Sequence, residues 1–505
     1  MKGLLLKNQF RAIVLVAALG LTQAAFGAGS EAADAAQNRD TEALRMLVKQ
    51  HANVNTPQPD GTTALHWAAH WNDLDTVKLL IGAGANAKAA NRYGATPLSE
   101  GVVLGNAAMI EALLNAGADP KTLTTSGGET VLMTASRAGN IEAVKVLLSH
   151  GADVNARENY RGQTALMWAA AERHADIVKV LLEHGADWKI LSQERDSRMP
   201  KLSAASSVTP MARGGLTAFL FAARVGDVES GRAILEAGGD INQVDVDGTT
   251  ALVVSVMNQH YSFAKFLLDR GADPNLADVK GRAALYAAID ARNEDYSAMP
   301  ARRGDDPLPS LEIVKAMLDR GANPNARLIK NLPGRSGMDA GDTALGEGTT
   351  PLMRAARAGD AQVMRILLAK GADPKLTTRD GSTAFLFAAG VGYRDKNTRG
   401  TEGEALEAVK VALDQHPDIN QANNQGETAL HGAALRGADT IVQFLVDHGA
   451  KLDVKTRRQF TPLDVAMGKS IVGQLPVPHD STVALIRKLG GLEGAEIKQA
   501  LAKND

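Results

Sequence analysis

The chain has 505 residues, several times a typical domain of about 100–200 residues, so it holds either several globular units or one long array. Hydrophobic residues make up 45% and charged residues 22%, which excludes a disordered chain, while 4% aromatics beside 49 glycines disfavours a large aromatic core. A net charge of −2 does not point to nucleic acid, and the lack of cysteine excludes disulfides, thiolate metal sites and a cysteine nucleophile. The first predicted element is a leader over residues 1–27. Lys2, Lys7 and Arg11 form a basic start, Ala12 to Leu21 an apolar run, and Ala25-Phe26-Gly27 a small-residue cleavage site. That layout predicts a secretory signal, the apolar run being too short for a span of about 20 residues. An uncleaved amphipathic anchor is the alternative. Removal leaves 52 basic against 57 acidic residues, net −5. With no lipobox cysteine, the expectation is a periplasmic or secreted protein without membrane attachment after cleavage.

Residues 28–490 repeat themselves. The segment GTTALHWAAHWNDLDTVKLLIGAGANA begins at Gly61, and related segments begin at Gly94, Gly128, Gly162, Gly215, Gly248, Gly281, Gly348, Gly381 and Gly426. Six of the steps are 33–34 residues and the others exceed one unit by an insertion. Weaker copies from Ala28 and around Gln459 flank these and bring the array to about twelve units. Thr63, Thr96, Thr130, Thr164, Thr350, Thr383 and Thr461 are placed to cap a first helix, with Pro97, Pro351 and Pro462 at its first position. Alanine pairs such as Ala68-Ala69 and Ala169-Ala170 allow close helix approach. A second helix carries apolar residues at i, i+3 and i+4, as in Val144, Leu147 and Leu148, and stops at a glycine such as Gly84, Gly151, Gly185, Gly271, Gly321 or Gly371. His51 and His416 take that stop position, which requires them to enter the left-handed region.

These residues resemble the ankyrin repeat family, whose G-x-T-P-L-H-x-A-A…L-L-x-x-G-A-D-x-N pattern is nearly reproduced. The resemblance implies an all-α solenoid of helix-turn-helix units with β-hairpin fingers, the end copies acting as caps. It also implies a non-enzymatic interaction scaffold that captures protein partners in a groove lined by first helices and fingertips. A secreted effector, or a protective subunit for an envelope enzyme, would share this fold. A monomer is expected.

Four insertions break the array, near 192–214 and 331–347 in finger positions, and near 294–310 and 395–404 between the helices of one unit. Residues 491–505 read as a tail. The first insertion is basic, with Arg198 and Arg213 among its candidate contacts. The sixth position after each unit's glycine carries Trp67, Glu100, Thr134, Trp168, Phe221, Val254, Ala287, Arg354, Phe387 and Gly432, four aromatics in ten. Around this register lie His70, Trp71, Arg137, Arg224, Arg357 and Arg436, with Tyr93 and Tyr160 at fingertips. Aromatic and arginine side chains dominate protein interfaces, so Trp67, Trp168, Phe221, Arg354 and Phe387 join these as candidate partner contacts. Packing between adjacent units is the competing use of the same register.

Catalysis finds no footing. Most histidines occupy recurring repeat positions: His66 and His431, His174 and His260, and His150, His184 and His448. His70 and His479 are left over, far apart and without a nucleophile. Met467-Gly468-Lys469-Ser470 lacks the first glycine of a phosphate loop, Leu463 standing there. Aspartate and asparagine near the stop glycines are expected to brace turns, not metals, and no cofactor is expected.

Overall fold

The computed structural model describes residues 30–124, 127–194, 214–293, 306–332, 345–393, 400–469 and 477–497. The leader and the middle of each insertion, Arg198 and Arg213 included, lie outside the described residues. Two compact units divide the chain, an N-terminal block up to Ser126 and a C-terminal block from Gly127.

Each block is a stack of helix pairs. The N-terminal block pairs Glu31–Gln37 with Thr41–Lys49, Ala64–His70 with Leu74–Gly82, and Pro97–Leu104 with Ala107–Asn115. The C-terminal block continues from Val131–Ala138 and Ile141–Ser149 to Pro462–Ala466 and Asp480–Lys488. The described residues hold twelve such pairs, the number read from the sequence.

Local chemistry sets the helix limits. The Thr96 hydroxyl accepts from Ser99 N at 3.1 Å and that of Thr350 from Met353 N at 3.3 Å, each ahead of a proline that gives up no hydrogen bond. Second helices use a cap that the sequence reading passed over: Asp73 accepts from Thr76 N at 3.0 Å and Asn106 from Met109 N at 3.2 Å. Glycine stops such as Gly151 have φ +85°, and His51 and His416 match them at φ 56° and 55°. The apolar faces then close: Val144 and Leu147 in one pair, and Ile441 and Leu445 in another, are fully buried. Each such side chain contributes about 1.5–3 kcal/mol.

Asparagines join successive pairs. Asn55 Nδ2 donates to Gly84 O at 2.9 Å while its Oδ1 accepts from Asn86 N at 2.6 Å. Asn155, Asn275, Asn325 and Asn420 make the same double contact with Gly185, Gly321, Gly371, Gly449 and the residues two beyond. These asparagines therefore tie one repeat to the next, beyond the local bracing expected of them. The fingers are shorter than β-hairpins. No strand occurs among the described residues, and single antiparallel bridges, Val244 to Thr250, Ala277 to Ala283 and Ala422 to Thr428, stand in their place. Neighbouring tips are bonded, as where Asn424 N donates to Asp380 O at 2.7 Å. Beyond Gly490 the chain turns back on the last pair: Thr461 Oγ donates to Leu492 O at 2.8 Å and Gly494 N to Asp464 Oδ2 at 2.8 Å.

Candidate partner-binding surface

In the N-terminal block the helix Ala64–His70 starts on a histidine staple. His66 Nδ1 accepts from Thr63 N at 3.1 Å, which leaves Nε2 to carry the proton it gives to Ala95 O at 3.0 Å in the next finger. Burial lowers the pKa of His66, in keeping with a neutral ring. One residue later the helix presents its other face. Trp67, His70 and Trp71 follow i, i+3, i+4 spacing and share that face.

There the two indoles stack with centroids 6.2 Å apart, and the His70 ring stands edge-on to both, at 5.7 and 4.9 Å. Trp67 Nε1 donates to Gln58 Oε1 at 2.8 Å, and Gln58 Nε2 reaches Asp34 Oδ1 at 2.7 Å. The Arg39 guanidinium lies 5.7 Å from the Trp71 ring centre. His70 Nδ1 meets Glu100 Oε2 at 3.0 Å, and this hydrogen bond raises the histidine pKa despite partial burial. Glu100 holds in its own repeat the register that Trp67 holds. Trp71 remains 39% exposed, and Tyr93, at a fingertip, 83%. Rigid aromatic area, one guanidinium and a partly exposed ion pair therefore share one face. Such a face has the side-chain types that dominate protein interfaces.

The C-terminal block treats the same register differently. Arg137 stacks on half-buried Trp168 at 4.5 Å and pairs with Glu129 at 2.9 Å. The Trp168 indole N–H is buried without a hydrogen-bond partner among the described residues. Tyr160 is exposed at its fingertip, and Arg224 is exposed. Phe221 and Phe387, expected at the surface, are buried. Gly432 is shielded too: a Cβ there would lie 2.4 Å from Val391 N.

Three arginines expected as contacts clamp other parts of the chain, Arg357 buried and Arg354 and Arg436 half-buried. Buried Arg357 donates to Val391 O at 3.1 Å and Gly392 O at 2.6 Å. Arg436 donates to Gly400 O at 2.9 Å and lies 4.9 Å from the Tyr393 ring centre. Both therefore pin the ends of the insertion that separates the helices Ala384–Ala389 and Glu402–Leu413. Arg354 binds Asp290 Oδ1 at 2.6 Å and Asn293 O at 3.0 Å, fixing the helix end from which the 294–310 insertion departs. A guanidinium offers several donors in a fixed fork, which suits it to gather carbonyls as the insertions begin and end.

The other histidines fit the repeat. His174, His260 and His479 each place Nε2 3.1 Å from a carbonyl of the preceding pair, Arg137 O, Arg224 O and Leu435 O. His479 thus joins a recurring position from which a longer connection had displaced it in sequence. Lys469 pairs with Asp464 and Glu493 and touches no phosphate-loop geometry. A polar cleft of about 670 Å³ in this block includes Arg292, Asp360, Arg365 and Glu404 in its lining, with no histidine. Arg292 and Asp360 are paired to each other at 2.7 Å. No group of three or more metal-ligating side chains occurs among the described residues. No helix among them is long and apolar enough to cross a membrane.

Comparison with known proteins agrees with this architecture. A family model for ankyrin repeats in three copies matches residues 33–124, 104–191, 219–328 and 401–476, and one for many copies matches 342–388. Similar curated proteins include alpha-latrocrustotoxin-Lt1a of Latrodectus tredecimguttatus, 29% identical over 24% of this chain and 8% of that protein. Ankyrin repeat and SOCS box protein 16 of Mus musculus is 31% identical over 23% of this chain and 25% of its own length. The mouse B-cell lymphoma 3 protein homolog is 33% identical over 25% and 26%. The chain thus matches at most about a quarter of the length of these relatives. Among solved structures, the human ASB11 ankyrin repeat domain aligns with 48% of this chain and 99% of its own at 24% identity, with a TM-score of 0.39. With family models covering well over half of its residues, the chain belongs to the ankyrin-repeat family.

Proposed function

We propose that the chain is an exported, non-enzymatic scaffold that captures protein partners, with the aromatic face of the N-terminal block as its principal contact. Ankyrin repeats generally mediate protein–protein interaction, and that much follows from family membership. The observation that carries the finer reading is the Trp67–His70–Trp71 cluster, which keeps aromatic area exposed while Gln58, Glu100 and Arg39 hold it in place. Aromatic anchors immobilised before binding lose little entropy on capture.

Joint replacement of Trp67 and Trp71 by alanine should leave the helical circular dichroism unchanged and abolish capture of partners from a periplasmic extract. Retained capture would defeat the assignment. Export rests on the basic-apolar-small layout of residues 1–27. Fractionation is expected to find the cleaved chain in the periplasm. Accumulation in the medium would instead favour a secreted effector, and full-length chain in the cytoplasm would refute export.

A further inference from the structure

In the C-terminal block, exposed aliphatic side chains gather on fingers. Val279 is 48% exposed and Ile329 57%, and a lysine follows each, Lys280 and Lys330. The two tips are direct neighbours, since Ile329 N donates to Lys280 O at 2.9 Å. Two aliphatic–cation pairs therefore stand side by side.

The carboxylate two residues before Lys280 is committed elsewhere. Asp278 is buried; it accepts from Lys280 N at 2.8 Å and Arg282 N at 3.0 Å, and its other oxygen holds the Arg282 guanidinium at 2.9 Å. Lys280 and Lys330 make no ion pair among the described residues. Partial burial and the charge of Arg282 lower the pKa of Lys280, and Lys330 pushes the same way against Asp278 and Asp247. With Asp278 paired to Arg282, the two lysines stand on these tips with uncovered aliphatic area beside each.

We infer that these two fingertips dock an extended acidic polypeptide segment, its carboxylates on Lys280 and Lys330 and its aliphatic side chains on Val279 and Ile329. The spacing agrees. Stacked repeats lie about 10 Å apart, and every third residue of an extended polyproline II segment returns to the same edge after about 9 Å. The inference deepens the protein-capture reading, on which it rests, by naming the chemistry of a partner at a second face. Charge complementarity selects the occupant: a neutral segment would leave both ammonium groups unanswered.

The test uses the full chain and a fluorescein-labelled (Glu-Leu-Ser)4 peptide, read by anisotropy at low and raised salt. Binding should weaken with salt, fall about tenfold or more in the Lys280→Glu/Lys330→Glu variant, and fall less in Val279→Ser/Ile329→Ser. The Trp67→Ala/Trp71→Ala variant should bind this peptide as the unaltered chain does. Equal binding of (Gln-Leu-Ser)4, no binding of the acidic peptide, or indifference to the lysine substitutions would overturn the inference. Failure here with tryptophan-dependent capture intact would refute this docking site alone, whereas loss of both would remove the binding reading itself.

Discussion

At one helix register two repeats do opposite things. Trp67 in the N-terminal block stays half open with Trp71 and His70 around it, while Phe387 in the C-terminal block is 2% exposed. Both are aromatic, and both stand six residues after a repeat glycine. At Gly432, one repeat on from Phe387, the cover is visible. Val391 N would lie 2.4 Å from an added Cβ, and Arg357 holds Val391 and Gly392 by their carbonyls. A register therefore selects a turn of helix, and the chain laid over that turn decides whether it is surface or core.

Stability measurements should separate the buried aromatic from the exposed face, probed at Trp71 beside Trp67, most sharply. Phe387→Ala is expected to cost about 3–5 kcal/mol in chemical denaturation, the toll of emptying a packed aromatic site. Trp71→Ala, at a side chain 39% exposed, should cost under about 1 kcal/mol. Capture should show the reverse ranking, lost with the tryptophan and kept with the phenylalanine under conditions where both variants are folded. A tolerated Phe387→Ala would reopen the C-terminal register as a surface and cancel the contrast.

Much of the fold was legible because its determinants are local. A threonine three residues ahead of a helical N–H, a proline at the first helical position and a glycine at a left-handed stop act within one turn, so twelve pairs could be counted from residue types. Even His51 and His416 gave themselves away by position. The site was less legible, for a physical reason. An interface arginine and a clamping arginine look alike in sequence, and Arg354, Arg357 and Arg436 reveal their roles only through carbonyls 34 to 61 residues away. His479 did leave a signal. Gly139 and Gly226 let His174 and His260 approach, an added Cβ lying 2.7 and 2.6 Å from their rings, and Gly437 does the same for His479 at 2.4 Å. Matching those glycines would have classified it.

Acid titration gives a second, smaller contrast. His431 in the C-terminal block accepts at Nδ1 from Thr428 N at 3.2 Å and donates its Nε2 proton to Phe460 O at 3.1 Å, and burial pushes its pKa down to about 4. A base whose folded pKa lies below its unfolded value binds fewer protons when folded, so stability rises with pH. The contribution should be complete above about pH 6.5 and drain away as pH falls through 4, to a total on the order of 3 kcal/mol. A His431→Asn variant should flatten this part of the pH–stability curve. An unaltered slope would show that His431 is protonated in the folded chain.

His70 runs the other way and weighs least. Its hydrogen bond to Glu100 raises its pKa, so whatever stability the pair adds is full below the unfolded histidine value and fades as pH rises through the folded one. Both side chains are about one-third exposed, and the stability effect should stay within a few tenths of a kcal/mol. The useful readout is spectroscopic. His70 stands edge-on to both indoles, so its titration should appear in the fluorescence of Trp67 and Trp71. Glu100→Gln should move that transition to lower pH while leaving thermal stability almost unchanged. A transition that ignores Glu100 would mean that the indoles report some other group, and that the N-terminal face is not organised around this pair.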